Sequence, residues 1–574
     1  MKNIRSRLWS FLLAAQSVMG LTALCGLPAA AAVKVIGNAT AHGPIHSDVS
    51  APMRELAKLA SASKPRHTTH APMKPKTHGA GHGAASVARA AVQRPSAGPL
   101  ISAIPELGFA GVDQSFFSAL GPDALDCSTV AGFGVVPPDT NGAVGDTQFV
   151  QWVNDCYAVF DKSSGAPLAG PFAGTNFWAG FGDPCEDNND GDPIIQWDKV
   201  NHRWLAAQNV FFANGGFAPY YTCVAVSTTA DATGSYYRYA FPQQNYFPDY
   251  PKWGKKGTVY YQTQNSFLAI DPAVNDFAFV GVTICAYQAN LMLKGNPKAQ
   301  QVCIVDDSGF DDSMLPADDD SPGPSSPEVL LGTIDSVDPG DTVYEFVFNV
   351  NFGKPGNSTL AGVDGSMPLS VPPFTLAECP FPVNTYCVPQ PSPGSDLLDT
   401  LGDRLMYRLA HYSGSNGTQH YLVTHSVNDA AGGVGSAWYE FRAQGLGNSH
   451  LYLYQSGQTP ADGEFRWMGS IAMDKKGDIA LGYSRSSANA GDYPSLYYSG
   501  QTAGAPLGTT ETEALLKQGG GSQIASFDRW GDYSSMALDG ADSCTFWYTN
   551  EYYPVDGSFA WFTWIASLRF PNCH

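Results

Sequence analysis

The chain contains no Gly-x-Ser-x-Gly elbow, no His-Glu-x-x-His and no P-loop. Those absences weigh against α/β-hydrolase, zincin and nucleotide-using chemistry. No Cys-x-x-Cys or Cys/His spacing suggests zinc. After the first thirty residues no apolar run approaches the roughly 20 residues that span a bilayer, so no membrane span is expected in the mature chain. Basic residues are scarce, 32 Lys and Arg against 52 Asp and Glu. They are also unevenly placed. Residues 33–100 carry nine of them against only Asp48 and Glu55, so the formal charge of −20 leaves about −30 on residues 101–574. A domain that acidic repels nucleic acid, because neutralising phosphates takes Lys and Arg.

The amino terminus has the three parts of a secretory signal: Lys2, Arg5 and Arg7, an apolar run from Leu8 to Leu27, and an Ala-rich exit. Cleavage is expected after Ala32, which places the mature protein outside the cytoplasm, secreted or periplasmic. Removing Cys25 with the signal leaves ten of the eleven cysteines, an even number that reads as a disulfide set in an exported chain. Close spacing suggests Cys379–Cys387 and Cys285–Cys303, and Cys544–Cys573 would tie the last strand to its neighbour. Residues 33–100 are rich in Ala, Pro, His and Lys and poor in aromatic and β-branched residues. They are expected to form a disordered linker or pro-segment.

From residue 101 short alternating runs are bounded by Gly, Asn, Asp and Pro, and no long window has helical spacing. That texture predicts an all-β domain over 101–574, too long for a simple sandwich and suited to repeated blades. Six runs share one form: Phe149–Asn154, Arg203–Asn209, Val259–Asn265, His420–Ser426, Ile479–Arg485 and Thr545–Glu551. Ser470-Ile471-Ala472-Met473-Asp474 matches Ser535-Met536-Ala537-Leu538-Asp539. Asp341–Phe348 suggests a further repeat between 266 and 418. The expectation is a single β-propeller of seven blades, with six or eight as alternatives.

The turns Asp474-Lys475-Lys476-Gly477-Asp478 and Asp539-Gly540-Ala541-Asp542 loosely resemble the Asp-box turns of sialidase-like propellers. Val136-Pro137-Pro138-Asp139-Thr140-Asn141-Gly142, Gly191-Asp192-Pro193-Ile194, Gly402-Asp403-Arg404-Leu405-Met406-Tyr407-Arg408, Arg466-Trp467-Met468-Gly469-Ser470 and Arg529-Trp530-Gly531-Asp532-Tyr533-Ser534 resemble a family of uncharacterised exported bacterial propeller proteins. That resemblance spans residues 130–574 and implies a secreted propeller without naming an activity.

Several groups of residues are chemically suggestive. Glu186, Asn188 and Asp190 offer oxygens at alternate positions before Gly191, as at the start of a calcium loop. The twelfth position is Trp197, where a bidentate Glu would stand. Asp318-Asp319-Asp320, with Asp306-Asp307 and Asp311-Asp312, is a second calcium candidate that reads rather as an exposed acidic loop. Glycosidases need two carboxylates about 5 to 10 Å apart, and Asp139, Asp192, Glu440, Asp532 and Glu551 lie at expected strand ends or turns. Arg404, Arg466, Arg485 and Arg529 suit bidentate recognition of an acidic sugar. His425 is a candidate base or binding group, and Trp467 and Trp530 are candidate stacking surfaces. Together these features point to an exported monomer engaging extracellular or cell-surface polysaccharide as a glycoside hydrolase or lyase, with structural calcium as the expected cofactor. The alternative is a non-catalytic binding or adhesion module.

Overall fold

In the computed structural model, residues 32–60 and 102–574 are described, apart from 122, 133, 183, 212–213, 275, 310, 322–326, 334–339, 378–385, 445–449 and 525–527. The expected signal peptide up to residue 31 and the segment 61–101 lie outside the described residues. Among the described residues, no helix is long and apolar enough to cross a membrane.

The chain is all-β and forms a β-propeller. Four antiparallel sheets stand alone. The first is Asn141–Val144, Gln148–Trp152, Cys156–Asp161 and Pro167–Ala173. The second is Ile194–Asp198, Arg203–Val210, Tyr221–Ser227 and Tyr236–Pro242. The third is Phe247–Lys256, Val259–Asp271, Asp276–Tyr287 and Gln301–Asp306. The fourth joins the two ends of the domain. Ser535–Leu538, Thr545–Tyr552 and Phe562–Arg569 take Ile104–Asp113 as their outer strand. Pairing an early strand with the last three closes the ring and covers a sheet edge.

Between the third sheet and the closing one lies a fourteen-stranded sheet with three antiparallel stretches. They begin with Leu315–Asp319, Leu405–Ser413 and Phe465–Met473. Parallel pairing joins them, with Ala317 opposite Leu409 and Val434 opposite Phe465. The first strand of each group lines the axis. Such strands approach so closely that a Cβ on Gly254 would sit 2.2 Å from the Ala317 carbonyl oxygen. The six repeated runs read from the sequence all fall on second strands of their groups. Asp341–Phe348 is one strand out of phase, lying on the third strand Gly340–Asn349 of its group.

Residues 33–60 are not the disordered start of a linker. Val35–Ile36, Thr40–His42 and His46–Val49 pair with the outer strands Thr359–Ala361, Gln301–Asp306 and Tyr236–Pro242. The helix Met53–Ala60 then buries Met53 and Leu56. Composition hid this because a strand added to an existing edge gains its stability from backbone hydrogen bonds, with little help from its own apolar side chains. The strap is anchored electrostatically as well. Arg238, 2% exposed, donates Nε and Nη2 to the two carboxylate oxygens of Asp48 at 2.9 and 2.7 Å.

Four disulfides join Cys127 to Cys156, Cys185 to Cys223, Cys285 to Cys303 and Cys544 to Cys573. The last two match the expected pairs. Cys379 lies outside the described residues, and with it the expected Cys379–Cys387 bond.

Candidate functional site

At one end of the axis residues in the left-handed region precede two inner strands and interrupt a third. Asp139, Asp192 and Tyr250 have φ of 49°, 50° and 53°. Asp tolerates that conformation better than most residues, and in it the Asp139 carboxyl and the Asp192 backbone N–H share one partner, Asn154. The Asn154 Nδ2 donates to Asp139 Oδ2 at 3.0 Å, and its Oδ1 accepts from the Asp192 backbone N–H at 2.8 Å. Asp139 Oδ1 accepts the backbone N–H of Asp532 at 2.7 Å, and Arg529 Nη2 donates to Asp532 Oδ1 at 2.6 Å. Glu551 Oε1 accepts from the backbone N–H of Gly531. Lys252 Nζ lies 3.3 Å from the Tyr250 ring centre and 4.1 Å from that of Tyr533. Arg404 covers the Tyr250 ring at 4.7 Å and donates Nε to Asp403 at 2.8 Å.

The cluster is almost closed to solvent, and burial sets its charge states. Burial, with the charges of Asp532 and Asp192 added, pushes the Asp139 carboxyl well above the usual carboxylate range. Burial likewise raises Asp192 and lifts Glu551 to about 8. It lowers the Lys252 ammonium to about 8. Arg529 resists the same burial because Asp532, Asp399 and Asp139 hold it charged. Four buried polar atoms here have no hydrogen-bond partner: the hydroxyls of Tyr250 and Tyr533, Glu551 Oε2 and Arg529 Nε.

Further along the axis the channel is plugged. Arg408 donates Nη1 to Asp318 at 3.0 Å, pairs with Asp320, and donates Nε to the Met536 carbonyl at 2.9 Å. Lys255 pairs with Asp318 and Lys199 with Asp320. The cavity beside them offers about 20 Å3, room for a water molecule and too little for a sugar ring. Asp318, Asp319 and Asp320 are therefore not an exposed loop. They are 4 to 7% exposed; Asp318 and Asp320 are ion-paired, and the Asp319 carboxylate contacts the His411 ring. Three successive aspartates looked solvated because their partners come from distant strands.

The other expected site residues are engaged with partners of their own. Glu440 is on a third strand, Val434–Gln444. Burial would raise its carboxyl, but hydrogen bonds from His420, Arg442 and Gln455 hold it below its ordinary value. Arg466 is tied to Asp462 and Glu513 at 2.7 and 2.8 Å, and Arg485 lies between Glu464 and Glu513 at 3.6 and 3.5 Å. The His425 ring contacts the Gly402 carbonyl at 2.9 Å, and burial drops its pKa to about 4, which leaves it neutral. Trp467 and Trp530 are fully buried with ring centres 5.6 Å apart. Neither offers a face for a sugar to stack on.

At the expected calcium loop, the Glu186 carboxylate accepts the N–H groups of Gly180 and Gly182 at 2.8 and 2.7 Å. Asp190 Oδ2 accepts from Phe211 N–H at 2.8 Å, and Asn188 Nδ2 donates to the Pro184 carbonyl at 2.6 Å. The two carboxylates thus accept backbone donors, while Asn188 donates. Among the described residues, Cys127, Asp155 and Cys156 bring three side-chain ligand atoms within 4.8 Å of one another, but the two sulfurs are a disulfide.

Of the axial residues, Tyr250, Lys252 and Tyr533 were not legible as site residues. A signal existed in register. Asp532-Tyr533-Ser534 precedes an inner strand just as Asp192-Pro193 does, and Tyr250-Pro251-Lys252 sits at the irregularity within the inner strand Phe247–Lys256.

No protein family matches the chain, and no curated protein does. The resemblance to exported bacterial proteins finds no support there. The chain bears a weak structural resemblance to propeller glycosidases. Against the Trypanosoma rangeli sialidase the identity is 9% and the TM-score 0.27, covering 66% of this chain. The match spans about half of that enzyme, 54%. An α-L-arabinofuranosidase from Fusarium graminearum, solved with an iminosugar inhibitor, matches at 9% identity and TM-score 0.26, over 57% of this chain and 94% of that one. Drosophila semaphorin 1b, extracellular domains 1–2, matches at 9% and 0.32, over 83% and 88%.

Proposed function

We propose that the protein is an exported monomer that engages extracellular polysaccharide at the unplugged end of its axis and cleaves it as a glycoside hydrolase. The observation that carries this reading is a pair of adjacent carboxyl groups with opposed environments. Burial raises the Asp139 carboxyl well above its ordinary value, whereas the Asp532 carboxylate is paired with Arg529 at 2.6 Å. Environments that push two carboxyls apart are how one site supplies both an acid and an anion at neutral pH. In this reading Asp139 protonates the glycosidic oxygen. The Asp532 carboxylate activates water or attacks the anomeric carbon, while Arg529 and Lys252 balance charge. A lyase would instead use Lys252, whose amine is partly neutral near pH 8, as the base.

The three antiparallel stretches of the fourteen-stranded sheet supply three further blades in this reading, which with the four separate sheets make seven. Four disulfides favour an oxidising compartment, in keeping with the basic, apolar and Ala-rich start of the chain. The reading is tested by incubating the protein with a panel of neutral and acidic polysaccharides, with reducing ends and unsaturated products both measured. New reducing ends that vanish in Asp139→Asn and Asp532→Asn support the hydrolase, and unsaturated ends support the lyase. The near-complete burial of the pair, 2% and 6% exposed, favours a second reading, a non-catalytic glycan-binding module. Glycan-array binding without turnover would support it.

A further inference from the structure

Where the chain crosses from the outer strand Gln301–Asp306 to the inner strand Leu315–Asp319, two aspartates meet in the interior. Asp306 and Asp311 are 2% and 1% exposed. Each uses one oxygen on a backbone donor: Asp306 Oδ1 accepts from Ser308 N–H at 3.1 Å, and Asp311 Oδ2 from Asp364 N–H at 2.7 Å. The other two oxygens, Asp306 Oδ2 and Asp311 Oδ1, have no hydrogen-bond partner. The carboxyl of Asp306 is nonetheless within hydrogen-bonding reach of that of Asp311. Asp364 adds a third negative group to this neighbourhood, and its own carboxylate is taken by Lys34 Nζ at 2.6 Å.

Two acceptor-only oxygens facing each other in a buried site repel unless something positive lies between them. A shared proton is one solution. A cation is the other, and several features favour it. The segment Asp306-Asp307-Ser308-Gly309 carries oxygen-bearing side chains up to a glycine with φ of 69°, as tight oxygen-ligand loops do. Carboxylates, hydroxyls and carbonyls are hard donors that suit calcium over zinc or copper. Lys34 is committed to Asp364, and burial with the neighbouring Asp306 raises the Asp311 carboxyl to about 8, so an ion bound here displaces a proton.

We propose that Asp306 and Asp311 form a calcium site, completed by main-chain carbonyls and water, that pins this crossover to the turn at Asp364. Because Asp364 also holds Lys34, the bound ion braces the amino-terminal strap at its first strand. This site is separate from the loop at Glu186, Asn188 and Asp190, and it is independent of the polysaccharide reading.

The test uses the full chain after chelation and dialysis. Millimolar calcium should raise Tm by about 2 °C or more through selective binding to the folded state. Terbium, which takes the same oxygen ligands, should give emission sensitised by the nearby Tyr344 and displaceable by calcium. Asp311→Asn should abolish both responses, and Asp306→Asn provides the second variant should the first misfold. Glu186→Gln and Asp190→Asn should leave both responses in place. A wild type with neither a Tm shift nor terbium emission overturns the site and leaves the shared proton. Responses lost only in the Glu186 and Asp190 variants overturn it in favour of that loop.

Discussion

The backbone N–H of Asp532 donates to the Oδ1 of Asp139 at 2.7 Å across 393 positions of sequence. One residue precedes the innermost strand of the closing sheet and the other that of the first sheet, so this bond lies on the seam where the ring meets itself. The same pair supplies the two carboxyls of the candidate site. Closure and chemistry therefore share residues, and each variant at the site needs a stability measurement beside its activity.

Glu551 gives the cluster a signature in pH. Its carboxyl is raised from 4.5 to about 8, first by burial. Between those values the folded state keeps a proton that the unfolded chain has lost, so stability falls as pH rises from about 4.5 to about 8. Above that window the cost is complete, and below it both states are protonated. Glu551→Gln should flatten the slope by about one proton's worth, roughly 1 kcal/mol per pH unit. Denaturant unfolding at pH 5, 6, 7 and 8 measures it. Equal slopes for the two proteins would show that Glu551 is ionised throughout.

The axial plug predicts a large cost for a small change. Arg408, 3% exposed, pairs with Asp318 and Asp320 and reaches the Met536 carbonyl on the closing sheet. Arg408→Met leaves both aspartates short of their central cation, and breaking a buried pair from one side typically costs ~3–5 kcal/mol. A loss under about 1 kcal/mol in urea unfolding would mean that Lys199 and Lys255 suffice.

The strap should behave as part of the ring. Asp48→Ala removes the carboxylate partner of the buried Arg238 and leaves it only the Phe177 and Ala179 carbonyls, a truncation that costs roughly 2–5 kcal/mol when the partner stays buried. Hydrogen exchange should quicken in Tyr236–Pro242, whose outer edge His46–Val49 covers. Unchanged protection there would mean that the strap is dispensable to the strand it pairs with.

The fold was more legible than the site, and the reason is physical. Second strands repeat because each presents apolar residues to the cores between sheets, as Leu205 and Ala207 do, and that demand recurs in every blade. The axial cluster draws on Asp139, Asp192, Lys252 and Asp532, which lie far apart in sequence and meet only when the ring closes. Their partners follow from register, and local composition does not contain it. The strap escaped detection for the converse reason. His46, Ser47 and Asp48 look like linker residues, yet their backbone is what pairs.

Trp467 and Trp530 decide between the aromatic reading of the sequence and the packing that the structure gives them. Both follow an arginine and both looked like platforms for sugar rings. They are instead fully buried in one core cluster with Met468, Trp547 and Tyr553, and the Trp530 Nε1 donates to Ser484 Oγ at 3.1 Å. Trp467→Ala should therefore cost ~3–5 kcal/mol through the cavity it leaves. Trp530→Phe keeps most of the volume, loses the hydrogen bond, and should cost roughly 1–2 kcal/mol. For whichever polysaccharide binds in the screen, affinity per folded molecule should be unchanged in Trp530→Phe. The comparison needs calorimetric titration alongside unfolding curves, so that loss of folded protein is not read as loss of affinity. A tenfold weaker affinity at undiminished stability would return Trp530 to the binding surface and place the ligand away from the Asp139 cluster.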